Sequence, residues 1–253
     1  MVDEPLFIPS DTADVAVRIT EGEGPTVLWC GGFRSDMMGG KAVALADWGA
    51  RTGRRVVRFD YRGHGESGGR FEDLAMSDWL ADAERVMDRF CPGPTVVVGS
   101  SMGGWIGLLL ARARLRAGTP LAGLVLIAPA ADFTERLMWP QLPDDRKAEI
   151  EREGLTLLPS AYGDPYPITR RLIEDGRNHL LYGDAPIETG CPVHILQGVM
   201  DEDVPYRHAL ELVERLAHDD VVLTLVKDGD HRLSREEDIA RLIAAVEGIV
   251  DDA

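Results

Sequence analysis

The chain has 253 residues, 45% of them hydrophobic, and a formal net charge of −16. That length and apolar content suit one α/β domain with a full core and an insertion, and they exclude a disordered chain. So acidic a surface repels nucleic-acid phosphates and anionic membranes, so neither is expected as a partner. Residues 6–8 read as a short strand, and residues 14–20 alternate as a half-exposed one. Residues 26–30 form a continuous apolar run, the mark of a buried strand, and end in Gly31-Gly32-Phe33-Arg34. A helix follows over 41–52, stopped by Gly53, then a strand over 54–61 and a glycine-rich loop over 62–69. Ser77 is placed to cap a helix that runs to Phe90.

Residues 95–99 are the next buried strand and 102–116 the helix after it; 121–128 is another buried strand. This alternation implies parallel strands joined by helical crossovers, in an α/β fold with a mostly parallel central sheet flanked by helices. The pattern breaks over 130–190, which is rich in proline and shows no convincing strand. Helices are expected there at 144–153 and 169–182. A segment this long is read as a small helical cap inserted into a single domain spanning 1–253. The alternation resumes with a strand at 192–198, a helix at 207–217, a strand at 221–226 and a closing helix at 235–250.

The three cysteines, Cys30, Cys91 and Cys191, are odd in number and widely spaced. They give neither a disulfide framework nor zinc-ligand spacing, and buried thiols in a reducing compartment are expected. The N-terminus lacks a basic stretch leading into an apolar run, and no apolar run is long enough to span a bilayer. A cytoplasmic protein with no integral membrane segment is expected. The pattern carries no signal of oligomeric state.

The chemistry centres on Val96-Val97-Val98-Gly99-Ser100-Ser101-Met102-Gly103-Gly104. Gly99-Ser100-Ser101-Met102-Gly103 fits Gly-x-Ser-x-Gly, the sharp strand-to-helix turn that exposes a nucleophilic serine. The glycines are there because side chains at these positions would collide with neighbouring backbone. In open α/β sheets the residues just past the strand ends line the site. Past the next-to-last strand comes Asp201-Glu202-Asp203, and past the last comes Asp230-His231. The order Ser101, Asp201, His231 is that of a nucleophile, an orienting acid and a base. His64, in the glycine-rich loop, is the rival base; position and order favour His231. Asp203 is the rival acid, or a cap for the helix beginning near Tyr206; turn position favours Asp201. His179 falls in the cap. His194, His208 and His218 lie within or at the ends of regular elements. Backbone N–H groups of Met102 and Phe33 are the candidate oxyanion-hole donors. Arg34 is adjacent and reads as a solvated surface residue, or else could meet an anionic substrate group. Leu137, Trp139, Leu142, Leu155 and Leu157 are candidates for an apolar acyl pocket, or else ordinary cap core. No cofactor or metal is called for.

Gly31-Gly32-Phe33, the run from Phe59 to Ser67, Gly99 to Trp105, Gly198 to Pro205 and Asp230-His231-Arg232 together resemble the α/β-hydrolase superfamily over nearly the whole chain. A narrower resemblance, in the Gly-Ser-Ser-Met-Gly-Gly-Trp elbow, Gln141-Leu142-Pro143 and Asp230-His231-Arg232, is to mitochondrial palmitoyl-protein thioesterases that also cleave mycophenolic acid acyl-glucuronide. The chain resembles a bacterial relative of that family. The resemblance implies hydrolysis of small-molecule esters or acyl thioesters, S-acylated proteins included, with Ser101, Asp201 and His231 as the triad. Gly31 departs from the His-Gly pair of many superfamily members. An aminopeptidase or amidase of the same fold would need acidic groups in the cap, for which Glu149, Glu151 and Glu153 are available. A non-catalytic ligand-binding module would usually lack one of the three site residues.

Overall fold

The computed structural model describes residues 4–9, 12–160, 163–216 and 220–252. An eight-stranded sheet runs through it in the order β1 (Leu6–Ile8), β2 (Val15–Thr20), β4 (Arg54–Phe59), β3 (Glu23–Cys30), β5 (Thr95–Ser100), β6 (Gly123–Ile127), β9 (Val193–Gly198), β10 (Val221–Val226). β1 and β2 pair antiparallel; the six strands from β4 to β10 are parallel. β5 sits centrally, and Val96, Val97 and Val98 are fully buried on both faces. That two-sided burial is why β5 reads as an unbroken apolar run rather than an alternating one.

The helices cover both faces. α1 (Gly40–Thr52) packs on the face with α8 (Glu236–Asp252), around Trp48, Leu45, Val246 and Leu242. α2 (Met76–Phe90) and α3 (Met102–Arg116) pack on the other, around Trp79, Trp105, Ile106 and Leu108. α3 is buried without a break from Met102 to Ala111, which accounts for its apolar character all round. α7 (Tyr206–Arg215) buries Ala209 and Leu212 against the latter core. Cys30, Cys91 and Cys191 are buried thiols, and burial pushes Cys30 and Cys91 up to about 12, far from thiolate reactivity. Among the described residues no helix is long and apolar enough to cross a membrane.

The body matches the sequence reading closely; the insert between β6 and β9 corrects it. It does hold the expected helix α5 (Asp144–Glu153), but also an antiparallel hairpin, β7 (Leu155–Ser160) with β8 (Gly163–Thr169), where no strand was expected. The second expected helix is shorter, α6 (Arg170–Gly176) followed by a single 3-10 turn at Arg177–His179. A π-helical turn at Thr134–Met138 runs into the short α4 (Trp139–Gln141). The insert is closed at its base by Asp132. Its carboxylate accepts the N–H groups of Leu181 (2.8 and 3.0 Å) and Tyr182 (2.8 Å).

One predicted cap is corrected, and one alternative cap is not formed. α2 begins at Met76, and its first turn is closed by Asp78, whose carboxylate accepts the Ala75 N–H at 2.9 Å. Ser77 faces the insert instead: its N–H and hydroxyl each donate at 2.7 Å to the Asp175 carboxylate, and its oxygen lies 2.7 Å from His179 Nε2. Asp203 does not cap α7, whose N-terminal flank is Pro205. His218 lies outside the described residues.

Candidate active site

The turn after β5 forces Ser101 to φ 54°, ψ −115°, a conformation that costs a residue with a side chain on the order of 1–3 kcal/mol. Surrounding contacts hold it there. The Ser101 N–H donates to Ile127 O (2.8 Å), and its carbonyl accepts from Gly104 (2.9 Å) and Ala130 (3.1 Å). A Cβ on Gly99 would strike the Gly103 carbonyl, and one on Gly103 the Cys30 carbonyl. Glycine is therefore required at both positions, because the backbones of β3, β5 and α3 meet with no room between them.

The loops after β9 and β10 lie against each other for the same reason. A Cβ on Gly198 would meet the Gly229 carbonyl, and the Met200 N–H donates to that carbonyl at 2.9 Å. This brings Asp201 and His231 together. His231 Nδ1 is 2.9 Å from Asp201 Oδ2, and His231 Nε2 is 3.1 Å from Ser101 Oγ. With Nδ1–H donating to the carboxylate, Nε2 is left as acceptor for the Ser101 hydroxyl. The Asp201 side chain is fully buried. Its Oδ2 also accepts from Gln197 Nε2 (3.0 Å), and its Oδ1 from the Asp203 (3.0 Å) and Val204 (2.8 Å) N–H groups. The carboxylate thus has one fixed orientation. Lys41 Nζ donates to the Arg232 carbonyl, pinning the histidine loop from α1; burial lowers that amine to about 8.

Ser101 and His231 open into a cavity of about 570 Å³. Phe33 and Met102 line it beside them, as do Phe133, Leu137, Met138, Leu142, Leu158, Arg34, Tyr166 and Asp203. The expected acyl-pocket residues divide: Leu137 and Leu142 line the cavity, Trp139 does not, and Leu155 and Leu157 point outward, Leu157 at 51% exposure. Leu158, next along β7, faces in. Glu149, Glu151 and Glu153 lie away from the cavity; Glu149 is engaged by Arg146 and Thr156. A second hollow of about 610 Å³, between Met87, Cys91, Pro94, Arg114 and Leu121, is at the opposite ends of the strands, and its Arg114 pairs with Asp88.

His64 is far from this role. It is buried among Tyr61, Phe71 and Trp79, with Nδ1 3.2 Å from the Arg62 carbonyl, and burial lowers it to about 4. The stretch from Asp60 to Ser67 is a brace. Asp60 accepts the Met37 N–H (2.6 Å) and the Glu66 N–H (2.8 Å), tying the loop after β3 to that after β4. Above it the Phe33 ring packs on Phe71, Phe133 and Trp79, with centroids 5.0, 5.5 and 5.9 Å away. The backbone of residues 32–33 is thereby held against Ser101. Gln197 joins the site without being expected from the sequence; a polar side chain inside a buried strand is the signal for it. Asp201, Asp203 and His231 are the one group among the described residues close enough (within 4.8 Å) to hold a cation. Asp201 Oδ2 and His231 Nδ1 are already engaged with each other.

Compared with known proteins, the chain matches the alpha/beta hydrolase family over residues 27–245. It is 33% identical over 243 residues to the mitochondrial palmitoyl-protein thioesterase ABHD10 of Pongo abelii, covering 95% of this chain and 78% of that protein. The mouse alpha/beta hydrolase domain-containing protein 10 superposes with a TM-score of 0.87 at 33% identity, over 98% of this chain and 99% of that one. A protein of known structure from Agrobacterium vitis S4 superposes with a TM-score of 0.92 at 48% identity, over 98% of both chains.

Proposed function

The chain belongs to the alpha/beta hydrolase family, and on that premise we propose that it is a serine hydrolase cleaving carboxylic ester or thioester acyl bonds through an acyl-enzyme at Ser101. The observation that carries this reading is His231, set between the Ser101 hydroxyl at 3.1 Å and the Asp201 carboxylate at 2.9 Å. His231 takes the serine proton as Oγ attacks the acyl carbon, then gives it to the departing alcohol or thiol. Asp201 holds the imidazole tautomer and stabilises the imidazolium formed in the transition state. The developing oxyanion is met by the N–H groups of Met102, at the start of α3, and Phe33. Water, activated by the same imidazole, then releases the acyl group. Every step uses groups of this chain and water.

The insert acts as a cap whose Leu137, Met138, Leu142 and Leu158 receive the acyl chain. Long-chain acyl thioesters, S-acylated proteins among them, are the proposed substrates, in keeping with the names of the relatives. A fluorophosphonate probe tests the reading directly. The wild type labels at Ser101 and Ser101→Ala does not; absence of labelling, or labelling that survives the substitution, refutes it. A panel of p-nitrophenyl esters and acyl thioesters ranked by kcat/KM then fixes the acyl preference.

A further inference from the structure

The loop after β3 carries an anchor on a single peptide. Gly32 and Ser35 close a four-residue turn, in which the Ser35 N–H donates to the Gly32 carbonyl at 3.1 Å. φ is positive at Arg34 (57°) and not at Phe33, the pattern of a type II turn. The Ser35 hydroxyl donates to the same carbonyl at 2.9 Å, so two donors hold one oxygen. That oxygen belongs to the peptide that carries the Phe33 N–H. In a planar trans peptide the C=O and N–H point in opposite directions, so fixing one fixes the other. The peptide lies against the serine: a Cβ on Gly32 would come 3.5 Å from Ser101 Cβ and 3.4 Å from the Ser100 carbonyl. Among the described residues the Phe33 N–H has no acceptor, which leaves it for a ligand oxygen.

We propose that Ser35 is a positioning residue of the oxyanion hole: its hydroxyl, by holding the Gly32 carbonyl, aims the Phe33 N–H at the oxygen on the acyl carbon that Ser101 attacks. This rests on the hydrolase reading above and adds a residue to its machinery. Ser35 acts through the peptide and not on substrate; it lines a neighbouring hollow of about 350 Å³, beside His64 and Phe71, and not the cavity that holds Ser101. Gly31 makes room for it. A Cβ there would come 3.1 Å from Ser35 Oγ, so a side chain at that position would press on the hydroxyl. The other anchors of the loop do different work. Asp60 accepts the Met37 N–H at 2.6 Å, and Arg58 Nη1 donates to the Met37 carbonyl at 2.9 Å, both at the far end. Phe71, Phe133 and Trp79 fix the Phe33 ring. These contacts place the loop and the ring, whereas Ser35 sets the tilt of one peptide plane. Negative charge gathers on the acyl oxygen only as Ser101 attacks, so a misaimed donor weakens the transition state more than the bound substrate. The signature of Ser35 therefore lies in kcat and not in KM.

The test compares wild type, Ser35→Ala and Ser35→Thr on p-nitrophenyl octanoate, with an octyl trifluoromethyl ketone as mimic of the tetrahedral intermediate. Ser35→Ala lowers kcat roughly fivefold, as expected for loss of one hydrogen bond, and leaves KM within twofold and the melting temperature unchanged. It weakens binding of the ketone by the same factor as kcat/KM falls. Ser35→Thr, which keeps the hydroxyl, recovers most of both. If Ser101 labels with the fluorophosphonate and Ser35→Ala leaves kcat and ketone binding within twofold of wild type, this inference falls and the hydrolase reading stands. A fall in kcat with ketone binding unchanged also overturns it, as does a fall in kcat and melting temperature together that Ser35→Thr fails to restore, which reports damage to the loop. If Ser101 does not label, both readings fall.

Discussion

The body and the insert are assembled by different means. In the body, the proposed catalytic groups stand on turns where backbone meets backbone: Gly103 against the Cys30 carbonyl, Gly198 against Gly229. In the insert, short elements are tied by side chains: Asp132 to the amides of Leu181 and Tyr182, Asp175 to Ser77, Arg171 to Asp78 at 2.7 Å, Glu149 to Arg146 and Thr156. The first kind of contact places atoms rigidly and tolerates almost no substitution. The second shapes a cavity and can be altered one residue at a time. On the proposed reading, the chemistry is set by the sheet and selection among substrates by the insert.

Substitutions on the two sides should separate cleanly. The largest effect belongs to the body: Ser101→Ala lowers kcat by roughly three to six orders of magnitude with an unchanged melting temperature. Gly103→Ala comes next, because its methyl group has no space beside the Cys30 carbonyl. It costs about 1–3 kcal/mol or more by overpacking, seen as a lower Tm, together with loss of turnover. On the insert, Asp175→Ala removes both acceptors that hold Ser77 and costs about 1 kcal/mol, as for loss of a helix cap. It raises KM for long acyl esters more than it lowers kcat for short ones; an equal fall in kcat for both would place Asp175 on the rigid side of the divide. The smallest effects distinguish neighbours on β7. Leu158→Ala, facing the cavity, shifts the octanoate-to-butyrate ratio of kcat/KM by roughly 10-fold. Leu157→Ala, facing solvent, leaves that ratio alone and alters stability by no more than about 0.5 kcal/mol.

The same divide governs what the sequence makes legible. The central strands are largely buried on both faces, so β3, β5, β6 and β9 carry apolar runs, and the residues just past them can be picked out. Ser101, Asp201 and His231 do converge, with Phe33 and Met102 on the same cavity. The hairpin is hidden in the sequence because Pro159 in β7, and Pro165 and Pro167 in β8, argue against strands. A two-stranded ribbon consists of edges alone, where proline is tolerated. Ser77 reads as a local cap because its true partner, Asp175, is 98 positions away. The same long reach hides the aromatic packing that buries His64 and props Phe33. Local pattern records burial and turn chemistry; it does not record which distant side chain completes a pair.

Asp132 has a consequence for descent as well as for stability. By gathering two amides 49 and 50 positions further along, it closes the insert at its root. The entropy of closing a loop rises only with the logarithm of its length, each doubling adding about 0.6 kcal/mol. Residues beyond that clasp can therefore be gained, lost or exchanged with little penalty to the sheet beneath. On the proposed reading, a lineage carrying this fold can change its range of substrates by rewriting the insert while the proposed catalytic serine, acid and base stay where they are.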